Sequence, residues 1–312
     1  PKGQKPGCGF PVMRIVAVFS LASGALLHVA KSALSTAERT LFHHVWEAAF
    51  EREDVLLADA GFCSYADLYL LGQRGVDCVM RNHQRRTKGL TELKRLDKAD
   101  RLIAWHKTSV RPQWLATEQW EPVPERMTVR EIDVSVDIPG FRTRTLKLVT
   151  TLLDPGAFPK RAFIELYRRR WMAELFLRDI KVTMRMDILR CKTPGMVQKE
   201  LYMHLIAYNL IRALMCDAAL ERKQSPFHLS FKGACTTVRA WANVFATPHL
   251  NQEQRHTLLL RMRETIARDT VPNRPNRSEP RARKRRPQNY QLLTKPRQTF
   301  KEIPHRNAYK KA

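Results

Sequence analysis

Apolar and polar positions change period several times along the chain. Residues 12–21 and 25–34 are two apolar runs broken at Ser23-Gly24. β-Branched Ile15, Val16 and Val18 favour extended backbone there, so the stretch predicts a β-hairpin. Ser35-Thr36-Ala37-Glu38 has the form of a capping box and predicts a helix to about Phe50, with Leu41, Val45, Ala48 and Ala49 facing inward. In DVLLADAGF, residues 54–62, a short apolar run ends in an acid and is cut by Gly61. That is the pattern of a buried strand with Asp59 at its carboxyl end. A second capping box, Ser64-Tyr65-Ala66-Asp67, opens a helix through about Gln73; Gly75 stops it, and VDCVM at 76–80 predicts another buried strand. The order β-β-α-β-α-β predicts a mixed α/β layer, in which functional groups gather at the carboxyl ends of strands. Asp59 occupies such a position, where an Asp also serves as a turn or helix cap.

From about 84 to 155 the period becomes two. IDVSVDI (132–138) and RTLKLVTTLL (144–153) alternate across Pro139-Gly140, predicting a β-rich insertion distinct from the α/β layer. Trp105, Trp114 and Trp120 fall within it, as packing residues or as a platform for a base. After Pro159 the period becomes helical: 160–181 predicts one helix, Pro194 breaks the pattern, 198–221 predicts an amphipathic helix, and 229–268 further helix ending before Pro272.

Charge changes the picture. The net charge is +25, with a pI near 10.3, which favours a polyanionic partner through counterion release. Residues 273–312 hold thirteen Lys or Arg, two Glu and five Pro, the composition of a non-globular basic tail. An anionic membrane is the competing partner, but no helix pairs one basic face with one bulky apolar face. Residues 15–30 imitate a secretory leader, yet they are too short and too broken to span a bilayer. The cysteines, at 8, 63, 78, 191, 216 and 235, form no CxxC, so free thiols in a reducing cytoplasm are expected and no structural zinc site. The chain begins with Pro rather than Met, so it is expected to start inside a longer reading frame.

Within the helix at 160–181, Tyr167, Arg170, Glu174, Arg178 and Lys181 are spaced by 3, 4, 4 and 3 and form one stripe. Leu166, Trp171, Leu175, Phe176 and Ile180 supply the opposite, apolar side. Arg170–Glu174 and Glu174–Arg178 are also ordinary i,i+4 ion pairs, each worth about 0.2–0.5 kcal/mol on an exposed helix.

The pattern Tyr167-x2-Arg170-x3-Glu174-x6-Lys181 resembles the YREK signature of the insertion-sequence-four family of bacterial DDE transposases. ELYRRRWMAELFLRDIK resembles its surroundings, and LLADAGF resembles the stretch with that family's second catalytic aspartate. The segment QKPGCGFPVMRIVAVFSLASGALL resembles the family's N-terminal strands, and 274–294 its C-terminal tail. The resemblance implies an α/β, ribonuclease-H-like (retroviral integrase-like) mixed sheet. The core would span 1–83 and 156–221, with a β-rich insertion at 84–155, a helical region at 222–271 and the basic tail at 272–312. It also implies cut-and-paste phosphoryl transfer at the ends of an insertion sequence. Asp59 and Glu174 would be catalytic and metal-binding, for two Mg2+ or, in substitution, Mn2+. Tyr167, Arg170, Arg178 and Lys181 would hold DNA phosphates. The partners implied are double-stranded DNA and a second copy in a synaptic homodimer, in the nucleoid-containing cytoplasm of a bacterium. The family's first catalytic aspartate should lie on a strand before 12–21, yet no acid precedes Glu38. That first strand is therefore expected to be missing. Alternatives are a DNA-binding remnant without catalysis and a basic RNA-associated protein.

Overall fold

The computed structural model describes residues 12–83, 90–135 and 145–272. The basic tail and the Pro139-Gly140 turn lie outside the described residues. Strands β1 (Met13–Phe19) and β2 (Leu26–Ala33) pair antiparallel as the expected hairpin. Its turn needs Gly24: φ is +75°, and a Cβ there would collide with the Arg212 guanidinium, which bonds the Ser23 carbonyl at 2.9 Å.

The helix expected up to Phe50 is instead two short ones, α1 (Glu38–His43) and α2 (Trp46–Ala49). The capping box at Ser35 does not form. The Thr36 hydroxyl bonds Ser32 at 2.6 Å, its carbonyl accepts from Arg14 and its N–H donates to the Ala33 carbonyl at 3.1 Å, so this segment is held in a turn and the helix starts later. Ala48 is exposed, and Phe42, Trp46 and Phe50 join Leu41 and Val45 in the core. By contrast Ser64 caps α3 (Tyr65–Gln73) as expected, accepting from Asp67 N–H at 3.1 Å. The Asp67 carboxylate is fully buried and bonds Arg39 at 3.0 Å and His43 at 2.9 Å, tying α3 to α1.

Strands β3 (Val55–Ala58), β4 (Asp77–Arg81), β5 (Thr91–Asp97), β6 (Asp100–His106), β7 (Arg126–Ser135) and β8 (Thr145–Thr150) form one sheet in the order β3-β4-β8-β7-β6-β5. β3 and β4 are parallel and the other neighbours antiparallel. The β-rich stretch is present, but it does not stand apart, because β8 pairs directly with β4. β3 was expected to be buried; it is an end strand, and Val55 is exposed. The hairpin forms a separate two-stranded sheet. Trp105 and Trp120 are packing residues, and the Trp114 ring lies 3.6 Å from that of His43.

Alternation assigns the two faces of the sheet. Cys78, Met80, Val129, Val149 and Trp105 point to α1–α3. Val79, Ile132, Val134 and Leu148 point to Phe163 and Tyr167 of α5 (Lys160–Arg178). On this second face the Arg130 guanidinium is 1% exposed and grips Asp100 with two bonds of 2.8 and 2.6 Å. It also donates to the Phe158 carbonyl at 2.8 Å and lies 5.2 Å from the Phe163 ring, which fixes the entry into α5.

A third core joins the hairpin to α6 (Pro194–Glu221), α7 (Phe231–Phe245) and α8 (Gln252–Arg268). α6 starts at Pro194, four residues earlier than expected. Proline at the first helical position starts a helix because the amide it lacks would be unpaired there. Asn209 of α6 pairs with both backbone groups of Leu26 at 2.8 Å, and the Tyr208 hydroxyl donates to the Gly24 carbonyl at 2.7 Å. Ile15, Ala17 and Phe19 face this core while Val16 and Val18 face the core of α1–α3, so the hairpin is a wall between the two.

Substituting Arg130→Met leaves Asp100 charged and unpaired in the core. Unfolding in urea should show a loss of about 3–5 kcal/mol, much of it recovered in Arg130→Met/Asp100→Leu. A loss below about 1 kcal/mol would show that the pair does not anchor the sheet.

Candidate active site

The carboxyl ends of β3 and β4 lie side by side because the strands are parallel with Ala58 opposite Met80. The next residues in register are Asp59 and Arg81. Alternation turns both toward the α5 side of the sheet. Asp59 is exposed, and its Oδ1 accepts from Ala60 N–H at 2.8 Å, capping the short turn Ala60–Phe62. The cap and the end-of-strand position are therefore both realised by one residue.

α5 follows β8, which is antiparallel to β4, so the helix runs back toward these strand ends. Its sheet-facing side begins with Phe163 and Tyr167 in the core. At about 100° per residue Arg170 and Glu174 continue that same side, with Glu174 about 10 Å further along than Tyr167. The sheet-facing side thus carries on past the packed part of the sheet, and Glu174, its carboxylate 47% exposed, emerges from it. Nine residues separate Tyr167 from Phe176, about half a turn in phase, and Phe176 and Ile180 enter the opposite core with the hairpin and α6.

Three expectations need correction here. Tyr167 does not lie on an exposed stripe: it is buried in one core cluster with Val79, Leu148 and Phe163. Of the expected apolar side, only Phe176 and Ile180 are fully buried; Leu166, Trp171 and Leu175 are half-buried. The stripe is also not continuous to Lys181. The α-helix ends at Arg178 and gives way to a wider π turn over Asp179–Thr183, in which Met184 N–H donates to the Asp179 carbonyl at 2.9 Å. The wider turn shifts Lys181 out of α-helical phase with Glu174. Arg178 and Lys181 are exposed.

Burial pushes the Tyr167 phenol up to about 12; Arg170 and Arg81 pull it down, and the Asp59 charge pushes it up. One buried hydroxyl therefore senses the end of β3, the end of β4 and the middle of α5. Arg170 lies 5.5 Å from the Tyr167 ring and donates to Glu174 Oε1 at 3.3 Å. The ion pair of Glu174 is with Arg170; none to Arg178 is present among the described residues. Arg81 was missed because the apolar run predicts a strand ending at Met80; the parallel β-α-β order was the available signal, since it brings both strand ends to one edge.

The structure thus brings Asp59, Arg81, Tyr167 and Arg170 together, with Glu174 joined through Arg170, and leaves Arg178 and Lys181 on the exposed surface beyond. The donor set falls short of a complete metal cage: among the described residues no group of three His, Cys, Asp or Glu is placed to hold a metal. What the site offers is two carboxylates flanked by guanidinium groups at a sheet edge.

The chain matches the transposase DDE domain family over residues 1–210 and belongs to that family. It is 28% identical over 295 residues to the transposase InsG of insertion sequence element IS4 from Escherichia coli strain K12. The match covers 92% of this chain and 62% of InsG, so the chain spans less than two thirds of that relative's length. A piggyBac transposase synaptic complex with hairpin DNA aligns over 89% of this chain and 58% of its own, at 8% identity and a TM-score of 0.39, too low to bear on the fold.

Asp179, at the start of the π turn, is pushed up to about 6 by burial, against the downward pull of Arg178 and Arg212. An acid raised on folding binds its proton more tightly in the folded chain. Its contribution therefore declines as pH rises from about 4, the unfolded value, to 6. Asp179→Asn should remove that decline and raise stability at pH 7 by about 1 kcal/mol, after discounting for partial exposure. Parallel urea titrations from pH 3.5 to 7 that superimpose for the two proteins would contradict this.

Proposed function

We propose that this chain carries the catalytic surface of an insertion-sequence transposase, acting on double-stranded DNA by metal-dependent phosphoryl transfer of the cut-and-paste kind. The observation that carries the proposal is geometric: Asp59 ends β3 beside Arg81 at the end of β4, and on α5 Arg170 lies 5.5 Å from the Tyr167 ring and bonds Glu174 at 3.3 Å. On this reading Tyr167, Arg170 and Glu174 of one helix and the aspartate of one strand form one site, with Lys181 beyond it. Asp59 and Glu174 are two acids of a divalent-metal site, for Mg2+ or Mn2+. The metal, when bound, activates the attacking oxygen and stabilises the leaving one.

The chain's own residues do the rest. Arg170, braced between the Tyr167 ring and Glu174, presents its other N–H groups to a phosphate as a planar fork. Arg81 offsets the charge of Asp59, which would otherwise repel the DNA backbone. Arg178 and Lys181 extend the positive track along the exposed side, and the basic tail adds non-specific affinity. Tyr167 positions Arg170 and does not itself contact phosphate. Two transposase copies would hold two element ends in a synaptic homodimer.

A second reading, a DNA-binding remnant without catalysis, is favoured by one observation. Both acids are already engaged, Asp59 as a cap and Glu174 with Arg170, and among the described residues no three-donor group accompanies them.

Glu174→Gln separates the two. With end DNA from the host element and Mg2+ or Mn2+, an enzyme loses strand cleavage by at least about 100-fold while keeping its DNA affinity. A remnant shows no cleavage in either form and binds DNA more tightly when the negative charge is removed. Arg170→Ala should weaken DNA binding in both cases and flatten its dependence on salt.

A further inference from the structure

A polar line crosses the sheet on its α1–α3 side. Arg101 on β6 stands opposite Glu131 on β7, and Lys147 on β8 stands opposite Asp133 on β7. Asn82, the first residue after β4, donates its backbone N–H to the Lys147 carbonyl at 2.7 Å. Alternation places these side chains on the side of Met80, Val129 and Val149.

Glu131 is the centre of the line, with a side chain 2% exposed. Its Oε1 accepts from Arg101 at 2.6 Å and from Lys147 at 3.2 Å, and its Oε2 accepts from the Asn82 amide at 3.2 Å. Both cations have a second acid: Arg101 bonds Glu92 of β5 at 3.1 Å, and Lys147 lies 3.2 Å from Asp133. Asn82 has no such reserve. It is buried, and its Oδ1 meets no partner among the described residues, so there Glu131 alone holds its side chain. A buried amide that loses such a partner has no water to turn to and must move.

Arg81 precedes Asn82, and alternation turns it to the other side of the sheet, beside Asp59. β4 meets β8 only over Val79–Arg81, so this strand end has little ladder to hold it. Pinning Asn82 on one side of the chain fixes the peptide from which Arg81 leaves on the other. We propose that Glu131 is a positioning residue: through Asn82 it fixes the end of β4, and with it the direction in which Arg81 stands beside Asp59 at the DNA-facing edge. This rests on the reading that Asp59 and Arg81 face DNA, and names what holds them there.

The test is the affinity of the full chain for a labelled duplex of arbitrary sequence, about 30 base pairs long, across a salt series. Glu131→Gln and Glu131→Leu remove the same negative charge, but only Gln keeps an acceptor for Asn82. By charge alone both should tighten binding. Glu131→Leu should instead weaken it about threefold or more and flatten its salt dependence, while Glu131→Gln stays at or above the starting affinity. A loss of stability alone would leave the salt dependence unchanged. Asn82→Ala leaves Glu131 and its cations paired and should match Glu131→Leu; it carries the test if circular dichroism shows Glu131→Leu unfolded. Arg81→Ala should weaken binding to a similar extent, and Arg81→Ala/Asn82→Ala should be no weaker than Arg81→Ala. If Arg81→Ala has no effect, the DNA-facing reading fails and the inference with it. If Arg81→Ala weakens binding but Asn82→Ala does not, or the two add, or Gln and Leu at 131 behave alike, the inference alone is overturned.

Discussion

The buried pair Arg130–Asp100 sets the position of everything the site uses. A guanidinium and a carboxylate taken out of water cost several kcal/mol each unless every donor and acceptor is met. Arg130 meets the condition by gripping Asp100 with two bonds and the Phe158 carbonyl with a third. That third bond joins β7 to the loop before α5. The direction in which α5 leaves the sheet is thereby constrained by a polar contact as well as by its apolar packing. Phe163, under the same guanidinium, then seats the first turn of the helix.

The two-sidedness of α5 follows. Its first half faces the sheet through Phe163 and Tyr167, and its last turns face the hairpin and α6 through Phe176 and Ile180, on the opposite side of the helix axis. Between those anchors lie Arg170 and Glu174, on the sheet-facing side but beyond the packed part of the sheet. A helix fixed at both ends on opposite sides can present polar residues in its middle without burying or losing them. The hairpin that receives the far end is itself locked by α6, through Asn209, Tyr208 and Arg212.

Much of this was legible in the sequence, and the parts that were not have identifiable causes. Gly24, Ser64 and Gly75 act locally, so the hairpin turn and the bounds of α3 follow from chemistry within a few residues. Asp59 at a strand end and the Arg170–Glu174 spacing were readable for the same reason. Failures came where a distant partner decides. The box at Ser35 is lost because Thr36 is held by Ser32 and Arg14, and Asp67 of the second box turns to Arg39 and His43. A stretch with clean alternation, 132–153, gives no sign of which strand it will pair with, so its union with β4 was invisible. Tyr167 looked like part of a polar stripe because periodicity records which side a residue is on, not where the sheet beneath it ends. The π turn has no signature of its own in DIKVT.

The opposed anchors of α5 bear on how the chain folds. A segment whose apolar residues point one way at the start and the other way at the end has no single side to bury, so α5 gains little from docking on either core alone. Its helix becomes secure only when the sheet and the helical region have both formed and met across it. Asp59 and Glu174 are therefore brought into register late and cooperatively. A partly folded chain exposes its basic residues before α5 is held between its two cores.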